Sequence, residues 1–265
     1  MDTSSRASAY LRAYHDQLRG RPIPGRTAKR IGPLLRTVSN GHGQGLLSYR
    51  DLDGLDGEEL DLLITRERDF FTRIGREVEW QYHAYDLPAD LPGRLAAAGF
   101  EPRERETLFV GRVAEPAGAH APPAGVRLRE VAGRDDLERI RELEETIWNA
   151  DHAWLPGMLE REIAGPGDPC AVVVAEADGQ VVCAAWVRFH EGTDFVSLWG
   201  GSTLKEWRGR GVYRAMVSYR AELAVARGFR FVRVDATGAS GPILARLGME
   251  AITTATPYVW VPPAL

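Results

Sequence analysis

Arg208-Gly209-Arg210-Gly211-Val212-Tyr213 decides how this chain is read. An apolar, strand-like run precedes the stretch and a long amphipathic pattern follows it. Two glycines one residue apart let backbone N–H groups turn toward a common point. A helix that begins at once adds its free N–H groups and the positive end of its dipole. Two arginines add full charge. Together these features make a socket for a diphosphate.

Working outward, Phe195–Thr203 reads as the strand that leads in. After the loop, Val212, Ala215, Met216, Tyr219 and Leu223 share one helical face, and Gly228 stands where a C-terminal glycine cap belongs. Phe229–Val234 is the next strand, Pro242–Leu247 a short helix and Thr254–Val261 a last strand. Upstream, Val126–Glu130 is a strand, followed by a helix with Asp135 or Asp136 as cap and Leu137, Ile140, Leu143 and Ile147 as its apolar positions. Ala171–Glu176 and Gln180–Phe189 bracket Asp178-Gly179, a hairpin signal. Counted out from that turn, Cys170 faces Val187 and Cys183 faces Val174, so the expectation is two buried free thiols.

A composition break at 113–125, VAEPAGAHAPPAG, divides the chain into a first domain (1–112), a linker and a second domain (126–265). The first carries helical patterns at Ala9–Leu18 and Gly57–Ile74, a strand at Glu77–Tyr85, a short helix at Leu91–Ala98 and a strand at Thr107–Arg112. Its glycine-rich Gly41–Gly45 lacks arginines and a clear following helix, and reads as a flexible loop. The order helix, Gly75, strand, then a helix closing on LAAAGF (Gly99-Phe100) parallels helix, Gly228, strand, then LARLGM (Gly248-Met249). This is an internal repeat, and only its second copy has the glycine–arginine loop.

The 265 residues are 44% hydrophobic and 26% charged, a globular balance. A formal net charge of −4 argues against a non-specific nucleic-acid binder. The N-terminus has no apolar signal core and no run reaches the length of a membrane span, so a soluble cytoplasmic protein is expected, with no membrane or nucleic-acid partner. The six histidines show no metal-ligand spacing, and no metal is expected.

Three nucleotide sockets compete for the loop. A Walker A loop needs G-x-x-x-x-G-K-[ST], and no lysine stands here. A Rossmann loop needs G-x-G-x-x-G; Gly209 and Gly211 fit, the third position falls on Arg214, and Asp235 mimics the ribose-binding acid, so a dinucleotide-binding protein remains an alternative. The third is the coenzyme A socket of the GNAT family of N-acetyltransferases. EWRGRGVYRAMV resembles that family's pattern Gln/Arg-x-x-Gly-x-Gly/Ala, with Arg208 at the first position and Gly211 at the fourth, although Tyr213 stands where a small residue is usual. The resemblance covers about Val126–Val261, and residues 1–112 look like a degenerate copy.

The resemblance implies a mixed α/β sheet in tandem, in which the strands before the loop and after its helix splay apart around acetyl-CoA or another short acyl-CoA. It implies diphosphate binding by Arg208, Gly209, Arg210, Gly211, Val212 and Tyr213. It also implies contacts to the pantetheine arm and thioester from Trp199, Gly200, Gly201, Ser202, Thr203 and Leu204. An amide near Thr203 would stabilise the developing oxyanion. An alkyl ammonium has a pKa of about 10.4, so a base must take its proton. Asp235 is the first candidate, though it would equally cap the turn at Thr237-Gly238. Glu144 and Glu145, on the helix that forms an acceptor wall in this family, are the next. Asp151 and His152, in a loop with Trp148 and Trp154, take no specific role from their spacing. Leu244 occupies the position of the family's frequent thiolate-protonating tyrosine; Tyr213 and Tyr258 are the phenols to examine for that role, with structural packing the alternative reading of both. The reading is an N-acetyltransferase acting on an amine; a non-catalytic acyl-CoA sensor or scaffold is the alternative that Leu244 favours. A transferase using charged tRNA would suit the duplication but not the acidic balance.

Overall fold

The computed structural model describes residues 3–23, 27–38, 44–167, 169–238 and 240–263. Its first half runs α1 (Thr3–Gln17), β1 (Ala28–Ile31), β2 (Leu34–Thr37), β3 (Gly45–Ser48), α2 (Gly57–Arg73), β4 (Val78–His83), α3 (Leu91–Ala97), β5 (Glu101–Pro102) and β6 (Glu106–Arg112). Its second half runs β7 (Arg127–Glu130), α4 (Arg134–Trp148), α5 (Leu155–Ile163), β8 (Cys170–Ala177), β9 (Gln180–Phe189), β10 (Phe195–Thr203), α6 (Val212–Ala226), β11 (Phe231–Ala236), α7 (Gly241–Arg246) and β12 (Glu250–Trp260). Positions 41–43 of the glycine-rich Gly41–Gly45 lie outside the described residues, and Gly45 opens β3.

The chain forms two compact units. One gathers 1–109, 235–241 and 251–265; the other gathers 110–234 and 242–250. The units therefore do not follow a single cut at the proline-rich 113–125, which is turn and coil. The terminal strand β12 pairs antiparallel with β4, Tyr258 opposite Trp80, within the first unit.

In the first unit β1, β2 and β3 are antiparallel neighbours and α2 crosses from β3 to its parallel partner β4. Leu60, Ile64 and Phe71 of α2 bury against Leu47, Trp80 and Leu95. In the second unit β7, β8, β9 and β10 are antiparallel neighbours, and α6 crosses from β10 to its parallel partner β11. Leu137, Ile140 and Leu143 of α4 and Leu159 of α5 cover one sheet face, and Val212 and Met216 of α6 cover the other. The repeat read from the sequence extends to the caps. Gly75 and Arg76 return N–H bonds to Thr72 and Phe71 as Gly228 and Phe229 do to Val225 and Ala224. Gly99-Phe100 and Gly248-Met249 close their helices on Leu95 and Leu244 in the same way.

Two local expectations are corrected. Cys170 lies opposite Arg188, not Val187, and Cys183 opposite Ala175, not Val174, because a bulge between Ala175 and Glu176 shifts the register by one residue. Both cysteines are free and buried, as expected; burial pushes their thiols up to about 12 and about 11, which disfavours the thiolate form. The α4 N-cap is Gly133 rather than Asp135 or Asp136. The Asp136 carboxylate instead accepts the Ala132 N–H at 2.9 Å and pairs with Arg129.

Candidate active site

β10 and β11 pair only through Phe195–Phe231, Val196–Val232 and Ser197–Arg233. Beyond Ser197, β10 continues to Thr203 with pairing recorded only to β9 among the described residues. One edge of Leu198–Thr203 is thereby left open. A bulge falls within this segment, between Gly200 and Ser202. Glycine is required there: Gly201 has φ +97°, and a Cβ on it would lie 2.6 Å from Cε2 of Tyr213. Thr203 is buried, its hydroxyl against the Cys183 sulfur at 3.2 Å, and Leu204 anchors the strand end by donating its N–H to the Val182 carbonyl at 3.0 Å.

The strand leads through a short 3-10 turn, Lys205–Trp207, into the loop. Gly209 and Gly211 both sit at positive φ, +73° and +92°, and Gly211 is the residue from which α6 starts. A Cβ on Gly209 would meet nothing within 4 Å, so the loop faces open space. Among the described residues no turn or loop bond is recorded from the N–H groups of Gly209, Arg210 and Gly211. Those of Val212, Tyr213 and Arg214 begin a helix and have no intrahelical acceptor. Arg208 is fixed by a 2.9 Å bond from Nε to the Thr203 carbonyl, and the Arg210 guanidinium lies 4.8 Å from the Trp207 ring centre. Val212 is buried in the α6 core, while Arg208, Arg210 and Arg214 are exposed. The arrangement suits a diphosphate: main-chain donors, a helix dipole and three cations at one exposed place.

On the other sheet face, Glu144 of α4 reaches the bulge. It is 5% exposed. Its Oε2 accepts the Ser202 hydroxyl at 2.8 Å and the Trp148 indole N–H at 2.8 Å. Its Oε1 is buried with no hydrogen-bond partner among the described residues. Burial raises its pKa above the ordinary glutamate value, and the two hydrogen bonds only partly offset this. A carboxyl so held is a proton acceptor whose strength is shifted toward neutrality.

The other candidates separate. Glu145 is committed to Arg141 at 3.0 Å and to the His152 N–H at 3.3 Å. Asp235 is half-buried near the end of β11, on a stretch grouped with the first unit. Tyr258, also in the first unit, packs edge-on to Tyr82 with ring centres 6.1 Å apart. Asp151 accepts the Ala153 N–H, and the His152 and Trp154 rings pack 5.9 Å apart. Leu244 is fully buried. Tyr213 is half-buried, and its phenol is pushed above its ordinary value by burial. Nothing in the sequence marked Ser202 and Trp148 as the partners that hold Glu144, or Arg214 as a third cation. No helix among the described residues is long and apolar enough to cross a membrane, and no cluster of metal-ligating side chains occurs among them.

The acetyltransferase (GNAT) family matches residues 136–246, which contain Glu144, the bulge and the loop. Among solved structures, a GCN5-related N-acetyltransferase from Kribbella flavida superposes with a TM-score of 0.67 at 17% identity, covering 99% of this chain and 96% of that one. A tandem GNAT protein from the clavulanic acid biosynthesis pathway gives 0.65 at 14% identity, covering 100% and 98%. A GCN5-related N-acetyltransferase from Sphaerobacter thermophilus gives 0.64 at 17% identity, covering 88% and 78%. No curated protein sequence matches the chain.

Proposed function

Because residues 136–246 belong to the acetyltransferase (GNAT) family, we propose that this protein is an acyl-CoA-dependent N-acyltransferase that moves an acetyl group from acetyl-CoA to a primary amine. The observation that carries the reading is the open edge of β10: its pairing to β11 stops at Ser197, its bulge begins at Gly200, and at Ser202 stands a buried carboxylate whose second oxygen has no hydrogen-bond partner among the described residues.

Acetyl-CoA is a co-substrate here, and the residues fit it. The amides of 209–214 receive the diphosphate, each hydrogen bond to a charged group contributing about 1.5–3 kcal/mol net. Arg208, Arg210 and Arg214 add charge. The main chain of Trp199–Leu204 receives the pantetheine arm, and its bulged amides meet the negative charge that gathers on the thioester oxygen. Glu144 takes the proton that the attacking amine must lose. The bond from nitrogen to the acyl carbon forms as the carbon–sulfur bond breaks, and the sulfur leaves as thiolate. A thiol pKa of about 8.5 makes that departure tolerable without a dedicated acid.

A non-catalytic acyl-CoA sensor is the second reading, favoured by the fully buried Leu244. Calorimetric titration with acetyl-CoA, followed by thiol release measured over a panel of amines, separates the readings. Binding with amine-dependent thiol release is expected. Binding without release on any amine would favour the sensor, and absence of binding would end both.

A further inference from the structure

The helix that follows the loop also carries Arg220, which is 1% exposed. No carboxylate pairs with it among the described residues. Among the described residues its guanidinium donates to main-chain carbonyls: Nε to Met216 O at 2.9 Å, and Nη1 to Trp199 O at 3.1 Å and Trp186 O at 3.2 Å. Arg188, equally buried on the neighbouring strand, shows the usual solution, a two-pronged pair with Glu162 at 2.8 and 3.0 Å. Taking an uncompensated charge out of water is costly, and an apolar side chain would fill the space more cheaply. Burial accordingly lowers the Arg220 pKa from its ordinary value.

What stands beside that charge is the start of the bulge. The carbonyl of Trp199 and the N–H of Gly200 belong to one planar peptide. A cation bonded to the carbonyl draws electron density through the peptide and makes its N–H a stronger donor. The same bond fixes the plane of a unit that leads into two glycines at positive φ, +68° and +97°. We propose that Arg220 is a positioning residue for acyl transfer: from behind β10 it orients and polarises the Trp199–Gly200 peptide, so that the bulged main chain is ready for the negative charge that gathers on the thioester oxygen. This rests on the acyl-CoA reading above.

The test is difference infrared spectroscopy of the carbonyl-labelled thioester of acetyl-CoA bound to the full-length protein, which needs no amine. In the wild type the carbonyl stretch falls below its value in free acetyl-CoA. Arg220→Gln loses at least about half of that shift and lowers kcat about tenfold or more, while the dissociation constant for acetyl-CoA stays within about threefold. Arg220→Lys, which keeps the charge but not the fork, lies between the two. A purely structural role would move affinity and melting temperature and leave the carbonyl stretch of the bound fraction unchanged. A wild-type stretch equal to that of free acetyl-CoA, or an Arg220→Gln stretch equal to the wild type, overturns the inference. If Arg220→Gln does not fold, Arg220→Lys with a wild-type stretch and wild-type kcat overturns it. Failure of the wild type to bind acetyl-CoA at all would instead refute the functional reading on which it rests.

Discussion

Replacing Glu144 by glutamine tests the chemistry with little change of shape. Glutamine retains a carbonyl oxygen for the Ser202 hydroxyl and the Trp148 indole, both 2.8 Å from Oε2 of the native carboxylate. It puts an amide group, which cannot accept a proton, where the partnerless Oε1 stands. Loss of a general base costs about 10²–10⁴ in kcat, or about 3–5 kcal/mol of barrier. Acetyl-CoA affinity should stay within about threefold, since the loop amides are untouched. Stability should respond in the opposite sense to activity as pH rises. Burial raises the native pKa of Glu144 above that of the unfolded chain. The wild type is therefore favoured below the unfolded value and loses stability as pH climbs through the native one. Glutamine has no such titration, so the melting temperature of the variant relative to wild type should rise across that window. The wild-type kcat/KM should show a limb rising with pH through a carboxyl group above the ordinary glutamate range. The limb from the amine itself, near about 10.4, is separate. Turnover within about threefold of wild type from about pH 6 to 9 would refute the role of Glu144.

Gly211→Val forces a β-branched residue to φ +92°, and Arg208→Ala removes the bond to the Thr203 carbonyl; each should weaken acetyl-CoA binding by at least about tenfold in calorimetry. Unchanged affinity in both would remove the basis of the diphosphate socket. Gly201→Ala places a Cβ 2.6 Å from the Tyr213 ring, so it should destabilise by about 1–3 kcal/mol in denaturant titration; a neutral result would mean the bulge is not held by that contact. Glu162→Gln strands the Arg188 guanidinium, 3% exposed, and should lower stability by about 3–5 kcal/mol; a loss under about 1 kcal/mol would show that water reaches the pair.

Much of the second unit was legible because its punctuation is local. Asp178-Gly179 marks a tight turn, Gly228 ends a helix, and the paired glycines before Val212 admit few structures other than a kinked loop. Helix α5 was not legible, since Pro156 and Gly157 are residues typical of loops; proline is tolerated in the first helical turn, and Pro156 stands there. The short strands β1 to β3, four residues each, are below the length at which alternation separates from chance. Thr254–Val261 reads correctly as a strand, but strand composition does not specify a partner, and the pairing with β4 joins residues far apart in the chain, Ala255 to His83 and Trp260 to Val78. For the same reason Glu144 and Glu145 were indistinguishable in the sequence. What separates them is Ser202, 58 residues away, which binds one, and Arg141, on the same helix, which neutralises the other.

Leu244 weighs less toward a silent binding module than the sequence suggests. It is the residue on which the α7 cap closes, accepting the N–H groups of Leu247 and Met249. Leu95 accepts the N–H of Phe100 at the equivalent cap of α3 and is just as buried. Both copies of the repeat use an apolar anchor at this point, so packing accounts for it. Chemistry does not demand a phenol either. At pH 7 a thiol with a pKa of about 8.5 is favoured over its thiolate by about 2 kcal/mol, so the proton can come from the buffered solution. A tyrosine at about 10 would give up its proton to that thiolate at a cost of about 2 kcal/mol. Burial moves Tyr213 further in the unfavourable direction. In the proposed reaction the leaving group needs little help, and the barrier lies in deprotonating the amine and in accommodating charge on the thioester oxygen. On the proposed reading, those two tasks fall to Glu144 and to the main-chain bulge whose Trp199 carbonyl accepts from Arg220.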